Sequence, residues 1–161
     1  MTPAMADPDN NALAPHYYRD NFLRLCETVE VQYGDILLPA ERVLLQRFRG
    51  LEFRAQCLYV RLVSRVGPWF RESKLAYPEL GCASPLVDAL IEQGMAQRAE
   101  ALSLEELGKL YTRQELQQAF GRDLGELRCR DKQALLDAIE ALLLPTAEPL
   151  LRLTAAHGER V

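Results

Sequence analysis

The sequence predicts a mainly α-helical chain: a helical bundle with a short winged-helix-like β arm, followed by a helix, an extended loop and a second helix. Three observations carry this. Apolar residues recur at intervals of three and four through most of the chain, as they do along one face of a helix. Two capping boxes, Ser103-Leu104-Glu105-Glu106 and Thr112-Arg113-Gln114-Glu115, mark helix starts in the last third. In each, the cap hydroxyl and the glutamate three residues on satisfy one another's exposed backbone amides. Finally, one basic, aromatic stretch, LYVRLVSRVGPWFRESKLAY over Leu58–Tyr77, interrupts the helical pattern at Gly67-Pro68.

Of the 161 residues 48% are hydrophobic, enough to bury a core in one domain or two small ones. The net charge of −4 argues against a nucleic-acid partner when taken over the whole chain. Its distribution argues the other way. Residues 1–41 hold two basic against seven acidic side chains, residues 42–77 eight against two, and residues 78–161 nine against fourteen. The positive charge is concentrated in and before the basic, aromatic stretch.

Residues 1–14 are small, polar and aperiodic, and are expected to form a flexible lead-in. Residues 15–100 form the first unit. Its opening helix runs from Tyr18, with Phe22, Leu25, Cys26, Val29 and Tyr33 on one stripe, to Gly34. A second helix starts at Pro39, where proline suits the first turn, and passes Val43, Leu44 and Phe48 to reach Gly50. The third, from about Phe53 to Val66, places Arg54, Arg61 and Arg65 on one face by their spacing of seven and four. Gly67-Pro68 ends it, because proline cannot donate to the helical ladder and drives the preceding residue out of the α region. Trp69–Leu75 then reads as a short strand or hairpin arm. Ser84 is expected to cap a helix with Pro85 in its first turn and Leu86, Val87, Leu90 and Ile91 on its apolar stripe, ending at Gly94. Met95–Ala99 returns as a second strand, which completes a winged-helix-like arrangement.

Residues 101–145 form the second unit. Helices start at Ser103 and at Thr112, the latter running to Gly121, and after a loop Asp131 caps a last helix that buries Leu135, Leu136, Ile139, Leu142 and Leu143 before Pro145. Residues 146–161 are expected to be a linker. Cys26, Cys57, Cys82 and Cys129 lie too far apart for a paired zinc motif and read as free, mostly buried thiols of a reducing compartment. No apolar run approaches the roughly eighteen residues of a membrane span, and no signal sequence opens the chain, so a soluble cytoplasmic protein is expected.

The string LYVRL, then Arg65-x-Gly-Pro-Trp-Phe-Arg71, then Lys74-Leu75-x-Tyr77 followed by Pro-Glu-Leu, resembles the signature of the Fanconi-associated nucleases, the VRR-type structure-specific DNA nuclease family. The similarity runs from YYRDNFLRLCETVEVQYGD at Tyr17 to about Leu144. The second unit resembles a SAP motif, a small DNA-binding helix-loop-helix, with Glu115-Leu116, Phe120-Gly121, Leu124, Lys132, Leu135-Leu136 and Ile139 at its apolar and basic positions. One departure is that Asp123 and Glu126 sit among Arg122, Arg128 and Arg130 in its loop, which implies weak DNA affinity for this unit alone.

The resemblance implies a DNA-binding front end that positions branched or flap DNA, for instance at the nucleoid during interstrand cross-link repair. The magnesium- or manganese-dependent phosphodiesterase would lie in a C-terminal helical and nuclease region outside this chain. No cofactor and no catalytic residue are expected here. Glu72-Ser73-Lys74 has the Glu-x-Lys form of such nucleases, but no partner acid on an adjoining strand accompanies it, so it is not read as a metal site. The expected DNA contacts are Arg54, Arg61, Arg65, Arg71 and Lys74 in the first unit and Arg122, Arg128, Arg130 and Lys132 in the second, through phosphates, with Phe70 free to stack on unpaired bases and Trp69 as an anchor. Two plainer readings stand beside this. The basic side chains could solvate a helix or pair with the acidic flanks. The surface could instead dock a protein partner or the missing domains without touching DNA.

Overall fold

The computed structural model describes residues 14–125 and 131–142, together with Pro149, Leu153 and Thr154. Among these, seven α-helices follow one another: α1 (Tyr17–Tyr33), α2 (Pro39–Gly50), α3 (Phe53–Val63), α4 (Ser84–Glu92), α5 (Leu104–Leu110), α6 (Arg113–Leu124) and α7 (Lys132–Leu142). A single 3₁₀ turn, Glu72–Lys74, lies between α3 and α4. The principal helix pairs are α1 with α3 and α3 with α4 in the first unit, and α5 and α6 each with α7 in the second.

Each unit has its own core. In the first, Phe48, Leu51, Ala55, Cys57, Leu58, Val60, Leu80, Leu86 and Leu90 are buried together. A buried glutamine ties its helices: Gln56 donates to the carbonyls of Phe48 and Leu51, both at 3.1 Å, and accepts from Arg19 Nε at 2.8 Å. It thereby satisfies carbonyls that the end of α2 leaves open. α1 buries only Cys26 of its predicted stripe, while Leu25 and Tyr33 remain 57% and 50% exposed. Burial pushes the Cys26 and Cys57 thiols above their ordinary pKa, as expected for inert cysteines.

The second core gathers Leu102, Leu107, Tyr111, Leu116, Phe120, Leu124, Leu135, Leu136, Ile139 and Leu153. Both capping boxes form as their sequences require, Ser103 Oγ accepting from the Glu106 amide and Thr112 Oγ1 from the Glu115 amide. Asp131 Oδ1 accepts from the Ala134 amide at 2.8 Å and starts α7. α5 approaches α7 closely at Gly108, where an added Cβ would stand 2.7 Å from Leu136 Cδ1. Leu153 is fully buried, so this core draws on chain beyond the expected boundary at 145.

The expected β arm is not there. No strand forms among the described residues, and the one β contact is an isolated bridge between Tyr77 and Gly81. Arg71 has the extended backbone of a strand residue, but a strand also needs a neighbour to share its ladder, and no segment among the described residues pairs with it. The Met95–Ala99 return is replaced by a fold-back. Gly94, at φ +64°, ends α4, and the amides of Met95 and Ala96 both return to the Leu90 carbonyl, at 2.9 and 3.3 Å. Two boundaries also move. α3 stops at Val63 rather than Val66, with Ser64 Oγ donating back to the Val60 carbonyl at 2.7 Å, and the Ser84 hydroxyl donates to Glu72 rather than capping α4.

Candidate nucleic-acid interface

Only Arg54 and Arg61 of the expected face lie on α3, Arg65 falling two residues past its end, and all three side chains reach the Tyr77–Gly81 turn. Arg54 is exposed, with its guanidinium beside Gly81. Arg61 donates to Glu79 Oε1 at 2.7 Å and lies 4.1 Å from the Tyr18 ring centroid and 5.4 Å from that of Tyr77. Arg65 is exposed, donates to the Tyr77 hydroxyl at 3.2 Å and lies 5.4 Å over the Phe70 ring. The three therefore differ. The charge of Arg61 is met by a carboxylate, and the Glu79 carboxyl is held below its ordinary pKa by a backbone hydrogen bond first and by Arg61 after it. Arg65 meets a neutral hydroxyl and a ring, and no carboxylate among the described residues is paired with it. Burial pushes the Tyr18 hydroxyl up to about 12, so it stays neutral beside Arg61.

Arg71 is removed from the expected contact set. Its side chain is 6% exposed, and its two terminal nitrogens donate to Glu115 at 2.9 and 2.8 Å, one of them also to the Leu110 carbonyl at 3.3 Å. Trp69, expected to anchor the arm, instead joins the second unit: its Nε1 donates to Glu106 Oε1 at 2.9 Å and its ring packs on the second core. Neither glutamate stood out as a partner in the sequence beyond its role in a capping box. Lys74 is exposed and is the last residue of the 3₁₀ turn.

In the second unit Arg122 is exposed on the last turn of α6, and Lys132 is half-buried on the first turn of α7. Arg128 and Arg130, with Glu126, lie outside the described residues. An open depression of about 910 Å³ between α5 and α7 is bordered by Lys109 and Lys132, but also by Glu105, Asp131, Asp137 and Glu140. Carboxylates so placed oppose phosphate and keep this side a weak contact at best. In the first unit an apolar cleft of about 520 Å³ opens between α3, α4 and the Gly67–Phe70 stretch, with Arg65 and Arg98 at its edges.

The described residues do not fit a divalent cation. Glu72, the acid of the Glu-x-Lys sequence, receives Arg98 at 3.0 Å and the Ser84 hydroxyl, and no three His, Cys, Asp or Glu side chains converge on one point. Among the described residues no helix is long and apolar enough to cross a membrane.

A helical unit with its arginines along α3, joined to a helix-loop-helix with two capped starts, is the architecture of a helix-turn-helix module followed by a SAP module. Family comparison agrees: residues 16–97 match the model described as FAN1, HTH domain, and residues 101–157 that of the Fanconi anemia-associated nuclease SAP domain. The chain belongs to the Fanconi-associated nuclease family. It is 36% identical to the Fanconi-associated nuclease 1 homolog of Pseudomonas aeruginosa over 147 residues, covering 91% of this chain and 26% of that protein. To human Fanconi-associated nuclease 1 it is 33% identical over 104 residues, covering 62% of this chain and 10% of that protein. It is also similar to a solved structure, paFAN1 bound to 2nt 5′ flap DNA with gap, at a TM-score of 0.81 and 34% identity over 98% of this chain and 27% of that one. A second paFAN1 structure, bound to 1nt 5′ flap DNA with gap, matches at 0.74 and 36% over 81% and 24%. The chain thus spans about a quarter of the length of its bacterial relative.

Proposed function

We propose that this chain is the DNA-binding front end of a structure-specific DNA repair nuclease, holding a duplex and its branch for a catalytic domain outside the chain. The observation that carries this reading is its similarity, over 98% of its length, to a relative solved on flap DNA. The exposed Arg54, Arg65 and Lys74 supply the phosphate contacts of the first unit, and Arg122 and Lys132 those of the second, with Arg128 and Arg130 as further candidates. Arg61 supports the surface through Tyr18, Tyr77 and Glu79 rather than by touching DNA. Metal-dependent cleavage of 5′ flaps, with magnesium or manganese held by the nuclease domain, and a role in cross-link repair at the nucleoid belong to the whole protein. The test is binding of 5′-flap DNA and plain duplex to this chain over a range of salt. A steep fall in affinity with salt is expected. No binding at low salt overturns the reading.

A second reading, docking of the remaining domains without DNA contact, has one observation in its favour. Leu25, Val31, Ile36 and Leu38, around the bend between α1 and α2, are 57%, 85%, 70% and 62% exposed. Binding to the nuclease half that Val31→Lys abolishes, with no binding to DNA, would favour it.

A further inference from the structure

We propose that Trp69 and Arg71 are positioning residues: a two-point latch that locks the second unit to the first in one orientation by gripping the glutamates of both capping boxes.

The geometry is repeated at two sites. At α5, Glu106 Oε2 accepts from the Ser103 amide and hydroxyl, at 2.8 and 2.9 Å, which is its capping duty, and Oε1 accepts from Trp69 Nε1 at 2.9 Å. At α6, Glu115 Oε2 accepts from the Thr112 amide and hydroxyl, both at 2.8 Å, and Oε1 accepts from Arg71 at 2.8 Å. In Glu106 one oxygen starts a helix of the second unit while the other holds the first unit; in Glu115 the capping oxygen Oε2 also accepts from Arg71, at 2.9 Å, so the first unit holds both oxygens. Arg71 goes further in. Its guanidinium lies 4.2 Å over the Tyr111 ring and donates to the Leu110 carbonyl, so one side chain engages the end of α5, the turn and the start of α6. Trp69 and Arg71 are two residues apart, the interval that sends side chains of an extended chain the same way.

Three features make this a device for orientation. The principal helix pairs all fall within one unit or the other, so the latch joins bodies with separate cores. A bidentate guanidinium–carboxylate pair fixes direction as well as distance. Both glutamates sit in the first turn of their helices, so holding them holds the axes of α5 and α6. The Arg71 side chain is buried and Glu115 half-buried, so water has little access to the pair, and Glu115 is held down to about 2 chiefly by the Arg71 hydrogen bonds. Two weak DNA-binding units in a fixed relation meet a branched duplex without first losing their freedom to move against each other. That consequence rests on the DNA-binding reading above; the orientation itself does not.

The test uses the whole chain with Trp69→Phe, Arg71→Gln and Glu115→Gln together. Glutamine still serves a capping box, and replacing both ion partners leaves no buried charge unpaired. Spin labels on Gln46→Cys in α2 and Glu140→Cys in α7, with Cys82→Ser and Cys129→Ser, read the distance between units without DNA. A single narrow distribution is expected with the latch intact and a broad one without it, at unchanged far-ultraviolet circular dichroism. Affinity for flap DNA should then fall by about tenfold or more, while affinity for a duplex too short to reach both units stays the same. A distribution that stays narrow overturns the latch. If it broadens and flap affinity is kept, the role in DNA positioning is overturned. Should the variant lose helix, Arg71→Gln with Glu115→Gln, which removes the bidentate pair and keeps the Trp69 ring, decides by the same distance measurement. Failure of the unaltered chain to bind DNA would overturn the functional reading and leave the distance result standing.

Discussion

Arg71 and Glu115, separated by 44 residues, form a bidentate ion pair at 2.9 and 2.8 Å across the junction of the two units, with the arginine side chain 6% exposed. Removing one partner alone leaves a charge in a poorly hydrated site. Arg71→Ala is therefore expected to cost about 3–5 kcal/mol, read by urea denaturation, whereas Arg71→Gln with Glu115→Gln should cost much less. Equal costs would mean that loss of side-chain packing, not stranded charge, sets the penalty.

The same pair sets an acid limit. Glu115 titrates at about 2 in the folded chain against an ordinary 4.5, chiefly because Arg71 donates to the charged form. Its folded pKa is depressed, so its contribution to stability is complete above the ordinary value and fades as pH falls from about 4.5 to about 2. Thermal melts across that window should fall less steeply in Glu115→Gln than in the unaltered chain.

Arg54, Arg65 and Lys74 are exposed, whereas Arg61 is paired with Glu79. Replacing Arg54, Arg65 and Lys74 together by alanine should reduce the slope of log affinity against log salt by about three units on duplex DNA, at about 0.9 per phosphate. Arg61→Ala should leave the slope nearly unchanged and lower the melting temperature, since its guanidinium is held by Glu79 and the Tyr18 ring. Opposite results for the two variants would exchange these roles.

Core substitutions should divide by burial. Leu58, fully buried, should cost about 2–5 kcal/mol as Leu58→Ala, and Leu62, which only partly packs on that core, less. In the second unit Gly108→Ala forces a methyl against Leu136 and should cost about 1–3 kcal/mol by overpacking, measured by chemical denaturation.

The chain alone should leave labelled 5′-flap DNA intact in manganese. Glu72→Gln should alter stability through Arg98 and Ser84, and any cleavage that this substitution abolishes would make Glu72 a metal ligand after all.

Features that depend on near neighbours along the chain are legible before any fold is known. The starts of α5 and α6 follow from Ser103 with Glu106 and Thr112 with Glu115, groups three residues apart whose capping bonds form wherever the rest of the chain lies. The apolar spacing of Leu135, Leu136 and Ile139 is a local pattern too, as is the spacing that puts Arg54 and Arg61 on one side of α3. Tertiary structure alone decided what those arginines do. Arg65 and Arg71 are equally basic in the sequence, six residues apart, yet one lies exposed against a tyrosine hydroxyl and the other is interior, because its partner comes from 44 residues away. The arm failed for the same reason. Trp69–Leu75 has the residues of a strand, but a strand exists only where another segment supplies the second half of its ladder, and among the described residues no segment does.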